Sequence, residues 1–192
     1  MKNVTRFILM LVCAISLSSC GYNTMVEKDE AVSHAWSNVE NQYQRRADLI
    51  PNLVNTVKGY AGHEETTLQS VVEARAKATQ VTVSADDLNA ETLQKYQAAQ
   101  GELSQALGRL LAVTENYPDL KANQNFLELQ AQLEGTENRI ATERTRYKDK
   151  AEEYNKMIRR FPDNIIASMT GFESKPYFEA DKEAAKAPKV EF

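Results

Sequence analysis

The chain has 192 residues, with 23 basic and 27 acidic side chains and a formal net charge of −4. This balance argues against binding to nucleic acid or to anionic lipid head groups by charge. Glycine (7) and proline (5) are scarce, and alternating β-branched runs are nearly absent, so the composition indicates a single all-α domain.

The N-terminus has the pattern of a bacterial lipoprotein signal. Lys2 and Arg6 precede an apolar core, Phe7 to Leu17, and Ser18-Ser19-Cys20 follows. The core is shorter than the roughly 20 apolar residues of a membrane-crossing helix and fits the about 7–15 residues of a secretory signal. We therefore predict that residues 1–19 are removed and that Cys20 carries the lipid. An uncleaved transmembrane anchor and a secretory signal with an incidental cysteine are the alternatives.

The cysteine and histidine content leaves little room for site chemistry. Cys13 leaves with the signal and Cys20 is acylated, so the mature chain keeps no thiol for a disulfide, a metal or a nucleophile. His63-Glu64 begins like a zinc-protease motif, but position 67 is threonine, and the other histidine is the distant His34. We predict no metal, no cofactor and no catalytic residues.

The first helix is predicted to begin at a capping box, Thr24 with Glu27, after a short tether at residues 20–24. It ends between Gly59 and Gly62. Pro51 removes one amide and frees the carbonyl of Ala47, which predicts a kinked but continuous helix. The freed carbonyl allows either a simple bend or a partner site. Apolar spacing of three and four residues gives a heptad seam: Val32, Trp36, Val39, Tyr43, Arg46, Ile50, Leu53, Val57 and Tyr60.

Three further helices follow in the predicted order. A short second helix covers about residues 64–79. A third, capped by Ser84 with Asp87, runs to about Asn116, because Pro118 disfavours helix at Tyr117. A fourth runs from about Leu120 to Arg160. Their seams are Tyr96, Ala99, Leu103, Ala106, Leu110, Val113 and Tyr117 in the third helix, and Phe126, Leu133, Ile140, Tyr147, Tyr154 and Phe161 in the fourth.

These seams predict an all-α fold, an elongated antiparallel bundle of about four helices, three long and one short. The bundle is assigned to residues 25–178 and a C-terminal tail to residues 179–192. The segment after Gly171 is expected to pack loosely, and the composition of Lys182 to Phe192 favours disorder.

Charged residues on the seams predict a polar layer inside the bundle. Arg46 occupies a core position, so we expect it to meet Glu137 or Glu134 and fix the helix register. A solvated edge or a ligand-coordinating layer is the alternative. The candidate layer comprises Arg46, Glu134, Glu137, Asn138 and Arg144.

Several segments resemble the LemA family. They are residues 36–54 (WSNVENQYQRRADLIPNLV), Val72-Glu-Ala-Arg75, Asn116-Tyr-Pro118, residues 133–140 (LEGTENRI), and Gly171-Phe172 through Lys175-Pro-Tyr-Phe178. The resemblance spans residues 22–190 and implies a bacterial membrane-associated antiparallel helical bundle without established catalytic residues. Many family members keep a transmembrane helix where this chain has a lipobox, so the anchor type does not carry over. Lys148 stands where the family often has asparagine.

The most favoured function is a non-enzymatic scaffold or adaptor for other envelope proteins. The lipid would anchor the protein in the cell membrane or the outer membrane, of which the outer membrane is mildly preferred. The domain would then face the periplasm. The candidate partner contacts are Trp36, Arg45, Arg46, Asp48, Pro51 and Asn52. The alternatives are a subunit of an envelope enzyme with a polar core site and a self-assembling membrane-remodelling protein with an exposed apolar stripe on the second or third helix. Homo-oligomerisation stays open.

Overall fold

The computed structural model describes the backbone of residues 2–179 and the side chains from residue 21 onward. Across these residues it is all-α, as predicted, and has no strand. The helices are α1 (Lys2–Tyr60), α2 (Glu65–Gln80), α3 (Ala90–Thr114), α4 (Pro118–Lys121), α5 (Gln124–Arg159) and α6 (Asp163–Thr170).

Helix α1 begins at Lys2 and not at the capping box. Residues 20–24 are helical, so the predicted helix start at Thr24 is wrong. The amides at Thr24 lie within a continuing helix, where preceding carbonyls satisfy them without a cap. The side chains of the predicted signal, including that of Cys20, lie outside the described residues. In the part of the chain that the structure describes, no helix has both the length and the apolar character needed to cross a membrane.

The chain forms two compact units, and α1 and α5 contribute to both. Unit 1 contains residues 2–46 and Glu134–Lys175, which include α6. Unit 2 contains Ala47–Leu133, which include α2, α3 and α4, together with residues 176–179 of the described chain.

Unit 1 is built on an antiparallel pair of helices. Lys28 of α1 meets Glu153 of α5 at 3.2 Å, and Trp36 packs its ring edge against Tyr147, with centroids 5.6 Å apart. Arg46 meets Glu137 further along α1. The residue numbers of the partners decrease along α5 as they increase along α1. This confirms the antiparallel arrangement that the seams predict for this pair.

Unit 2 has one continuous apolar core. It combines the C-terminal part of α1, the inner faces of α2 and α3, Leu120 of α4 and the first turns of α5. Truncating one such buried leucine to alanine typically costs about 2–5 kcal/mol. The largest contributors are Ile50, Leu53, Leu103, Leu110, Leu120, Phe126 and Leu133.

The heptad seams are buried over most of their length. The last position is exposed in the seam of the first helix and in the seam of the predicted fourth helix. Tyr60 is 45% exposed and Phe161 is 81% exposed. Tyr60 is the last residue of α1, and Phe161 lies beyond the end of α5 at Arg159. A seam position is covered only where the helix continues beside its neighbour, so both side chains emerge at helix ends.

The helix boundaries in unit 2 differ locally from the sequence prediction. Asn89 caps α3, and its side chain accepts from the amides of Glu91 and Thr92. Ser84, the predicted cap, instead donates to Asp87 at 2.7 Å in the preceding turn. The predicted fourth helix is divided into α4 and α5. Asn123 lies between them, and its side chain accepts from the amide of Phe126 at the start of α5.

Among the described residues after Gly171, 172–179, side-chain amides hold the backbone at two points, so the expected loose packing is wrong for this stretch. In unit 1, Asn155 Nδ2 donates to the carbonyl of Lys175 at 2.8 Å, and the Lys175 amide donates back to Asn155 Oδ1 at 2.8 Å. In unit 2, Gln97 makes the same two-way contact with the backbone of Glu179, at 2.8 and 3.2 Å. The predicted disorder of Lys182 to Phe192 falls outside the described residues.

Candidate functional site

A half-buried ion pair of unit 1 joins α1 to α5. Arg46 is 1% exposed and donates from Nη1 to Glu137 Oε1 at 2.8 Å. The Glu137 side chain is 46% exposed. Glu137 is one of the two carboxylates that the sequence assigns to Arg46. The pair therefore has one end in the core and the other end at the surface.

Tyr43 completes this layer from one turn earlier on α1. Its ring centroid lies 5.0 Å from the guanidinium carbon of Arg46, within range of a cation–π contact. Burial raises the pKa of the Tyr43 phenol, and the positive charges of Arg144 and Arg46 partly oppose the rise. Arg144 also hydrogen-bonds this side chain. One phenol, two guanidinium groups and one carboxylate thus lie together in this layer.

The structure brings together Arg46, Glu137 and Arg144 of the predicted layer. Glu134 and Asn138 lie exposed on α5. The sequence analysis missed Tyr43 as a member, although it lies three residues before Arg46 on the same seam. Within the described residues no group of three or more His, Cys, Asp or Glu side chains is placed to hold a metal ion. The hydrogen bond from Arg46 to Glu137 connects α1 with α5 in this layer.

A second polar contact occurs in unit 2, at the proline of α1. Pro51 lies inside the helix, which continues to Tyr60 as predicted. Arg75 of α2 donates from Nε to the carbonyl oxygen of Ala47 at 2.7 Å. The freed carbonyl is therefore satisfied within the unit. The alternative prediction, a partner site built around that oxygen, is wrong.

The candidate partner contacts divide into buried and exposed residues. Trp36 is 0% and Arg46 is 1% exposed, so neither can present a surface to a partner, and these two predictions are corrected. Both occupy core positions of the seam, where Trp36 packs on Tyr147. The exposed candidates are Arg45, Asp48, Pro51 and Asn52.

Three of the exposed candidates belong to the part of α1 in unit 2. Asp48 and Asn52 continue into Asn55 and Gly59 at steps of four, three and four residues, which is the spacing of a single helix face. All four residues are exposed, while Ile50, Leu53 and Val57 of the same helix are buried. We call Asp48, Asn52, Asn55 and Gly59 the α1 strip. It consists of one carboxylate, two asparagines and a glycine, with no large apolar side chain.

The described residues define an all-α protein. Its first helix is joined to α5 by an ion pair with a buried arginine and to α2 by a side-chain bond to a proline-freed carbonyl. The family model of the LemA family matches residues 35–192. The chain therefore belongs to the LemA family, and the resemblance of its motifs is confirmed.

Relatives of known name match over most of the chain. Magnetosome protein MamQ 2 of Paramagnetospirillum magneticum is 30% identical over 94% of this chain and 72% of its own length. Magnetosome protein MamQ of Magnetospirillum gryphiswaldense is 28% identical over the same shares. Protein LemA of Metamycoplasma hominis is 23% identical over 92% of this chain and 78% of its own length.

Proposed function

We propose that this protein is a membrane-anchored, non-enzymatic adaptor of the bacterial envelope, which docks partner proteins on the α1 strip. The observation that carries the proposal is the exposure of Asp48, Asn52, Asn55 and Gly59 along one face of a helix whose other face is buried. Such a face suits docking of a second helix or of a groove.

The polar contacts inside the units support an adaptor over an enzyme. Arg46 is occupied by Glu137, and Arg75 by the carbonyl of Ala47. Tyr43 keeps a raised pKa, so its phenol is neutral at physiological pH. Charges committed to one another contribute to structure and do not leave a converging set of acids and bases for a substrate.

The anchor gives the adaptor its physical mechanism. Acyl chains on Cys20 would confine the protein to the plane of the membrane and raise its effective concentration toward neighbours held there. The magnetosome relatives are named for a cell structure and not for a reaction, which fits a protein that organises others. The extracytoplasmic location follows from the signal pattern of residues 1–19.

Photocrosslinking in the native host tests the docking face. A benzophenone amino acid is placed at Asn52 or at Asn55, and the matched control is Asn138, an exposed asparagine on α5. We expect one discrete adduct common to Asn52 and Asn55 and absent from Asn138. Charge reversal next to the probe, Asp48→Lys, should weaken that adduct. Equal adducts at all three positions, or none at Asn52 and Asn55, would contradict the proposal.

A further inference from the structure

The α5–α6 turn and α6 expose large apolar side chains. Phe161 and Met169 are each 81% exposed and Ile165 is 50% exposed. Ile165 and Met169 lie one turn apart on one face of α6, and Phe161 closely precedes the helix. On the other side, the small Ala167 is buried at 3% exposure. We call Phe161, Ile165 and Met169 the α6 patch. The helix therefore packs Ala167 inward and presents Ile165 and Met169 outward, which marks an interaction surface.

The α6 patch lies on and beside a helix that approaches α1 near the N-terminal end of its described side chains. A Cβ atom on Gly21 would stand 2.8 Å from Asp163 Oδ1 and 3.2 Å from Ile166 Cδ1, so α6 approaches α1 closely at Gly21. Gly21 directly follows Cys20 in the chain. Tyr22, which is 42% exposed, packs on Phe172 with ring centroids 5.8 Å apart.

The polar surroundings of the patch suit a membrane surface. Arg159 and Arg160 are exposed and directly precede Phe161. Arg159 donates from Nε to the carbonyl of Asn155 at 3.0 Å, and long basic side chains beside inserted apolar groups reach lipid phosphates. Lys156 is also exposed, but it is paired with Glu152. Asp163 is turned toward Gly21. Tyr22 adds an aromatic ring of the kind enriched at membrane interfaces.

We propose that the α6 patch inserts into the head-group and acyl boundary of the bilayer that holds the N-terminus, as a second attachment point. The inference rests on the proposed function for the presence of that bilayer. The patch would bury its apolar side chains about 5–10 Å below the surface. One anchor leaves a domain free to pivot, whereas two attachment points fix its orientation. The same contact follows whether the segment before Gly21 is cleaved and acylated or retained.

Tryptophan quenching by lipid tests the contact directly. The full chain, with its native N-terminal processing, is reconstituted into phosphatidylcholine vesicles with or without bromine on the acyl chains. Phe161→Trp and Met169→Trp report on the patch, and Leu127→Trp, at a 46% exposed position of α5 in unit 2, is the matched control. The native Trp36 is fully buried and gives the background.

We expect brominated acyl chains to lower the emission of Phe161→Trp and Met169→Trp by about twofold and to leave Leu127→Trp at the level of the wild type. Far-UV circular dichroism verifies that each variant is folded. Vesicle flotation of the same samples reports on the anchor separately. Flotation of both patch variants, with no more quenching than in Leu127→Trp, would overturn the patch and keep the anchor. Loss of flotation together with loss of quenching would overturn both.

Discussion

Arg75 donates from Nε to the carbonyl oxygen of Ala47 at 2.7 Å. This carbonyl would normally accept from the amide of residue 51, but Pro51 has no amide hydrogen. An α-helix pairs each carbonyl with the amide four residues later, so the guanidinium of α2 replaces the missing donor. Two of the segments that carry the LemA resemblance, the one containing Pro51 and the one ending at Arg75, are therefore the two sides of one hydrogen bond.

Replacing Arg75 by methionine should lower the free energy of unfolding by about 1–3 kcal/mol, because the half-buried carbonyl loses a charged donor. Urea denaturation followed by circular dichroism at 222 nm measures the loss. In a Pro51→Ala background the helix supplies its own amide, so the same substitution should cost less than half as much. Equal costs in both backgrounds would show that the Ala47 carbonyl is not what Arg75 stabilises.

The Arg46–Glu137 pair should respond unequally to loss of each partner. Glu137→Ala leaves a guanidinium that is 1% exposed with one carboxylate fewer, at a cost of about 1–3 kcal/mol. Arg46→Met leaves a carboxylate that is 46% exposed and can be hydrated, so its cost should stay within about 1 kcal/mol. Urea midpoints of the two variants check the order. The reverse order would mean that the layer depends on Arg46 through its other contacts.

Asn155 should control the order of the segment after Gly171 in unit 1. Asn155→Ala removes both hydrogen bonds to the Lys175 backbone and should speed exchange of the Lys175 amide by at least about tenfold, since a hydrogen bond of about 1–1.5 kcal/mol protects it. Hydrogen exchange read by NMR gives the rate. Gln97→Ala is the matched control, because it breaks the equivalent contact to Glu179. Unchanged exchange at Lys175 in Asn155→Ala would contradict the role given to Asn155.

Tyr154 should make stability fall at alkaline pH. Burial, with smaller contributions from Asp29 and Glu173, raises the pKa of this phenol to about 12. The folded-state pKa lies above that of the unfolded chain. The contribution of the neutral Tyr154 phenol to stability is therefore complete below about pH 10 and is lost as pH rises to about 12. Between pH 9 and 12, the free energy of unfolding of Tyr154→Phe should therefore fall by about 2–3 kcal/mol less than that of the wild type. Unfolding free energies at several pH values supply the comparison, and identical slopes would contradict it.

The sequence predicted the features that repeat along a helix. Periodic apolar spacing located the buried positions, and a charge on the seam, Arg46, pointed to a carboxylate on the facing helix. Pro118 indicated the end of a helix through local sterics. Each of these signals depends on residues close together in the chain, so it can be recognised from the amino-acid sequence alone.

The features that the sequence did not predict depend on choices between similar local signals or on distant contacts. Ser84 and Asn89 each have a suitable partner three residues later, and the buried Leu88 just before Asn89 favours the second cap. The segment at Lys175 is ordered by an amide 20 residues earlier in the chain. Phe161 continued the heptad by count, but α5 ends two residues before it, so the residue read as core became part of the exposed α6 patch.

Membrane attachment through Cys20 is tested most directly by mass spectrometry of the N-terminal peptide of protein purified from the membranes of its native host. The expected product begins at Cys20, lacks residues 1–19 and carries the mass of a diacylglycerol group on that cysteine. A peptide that still begins at Met1 or Lys2, with an unmodified Cys20, would contradict the lipid anchor.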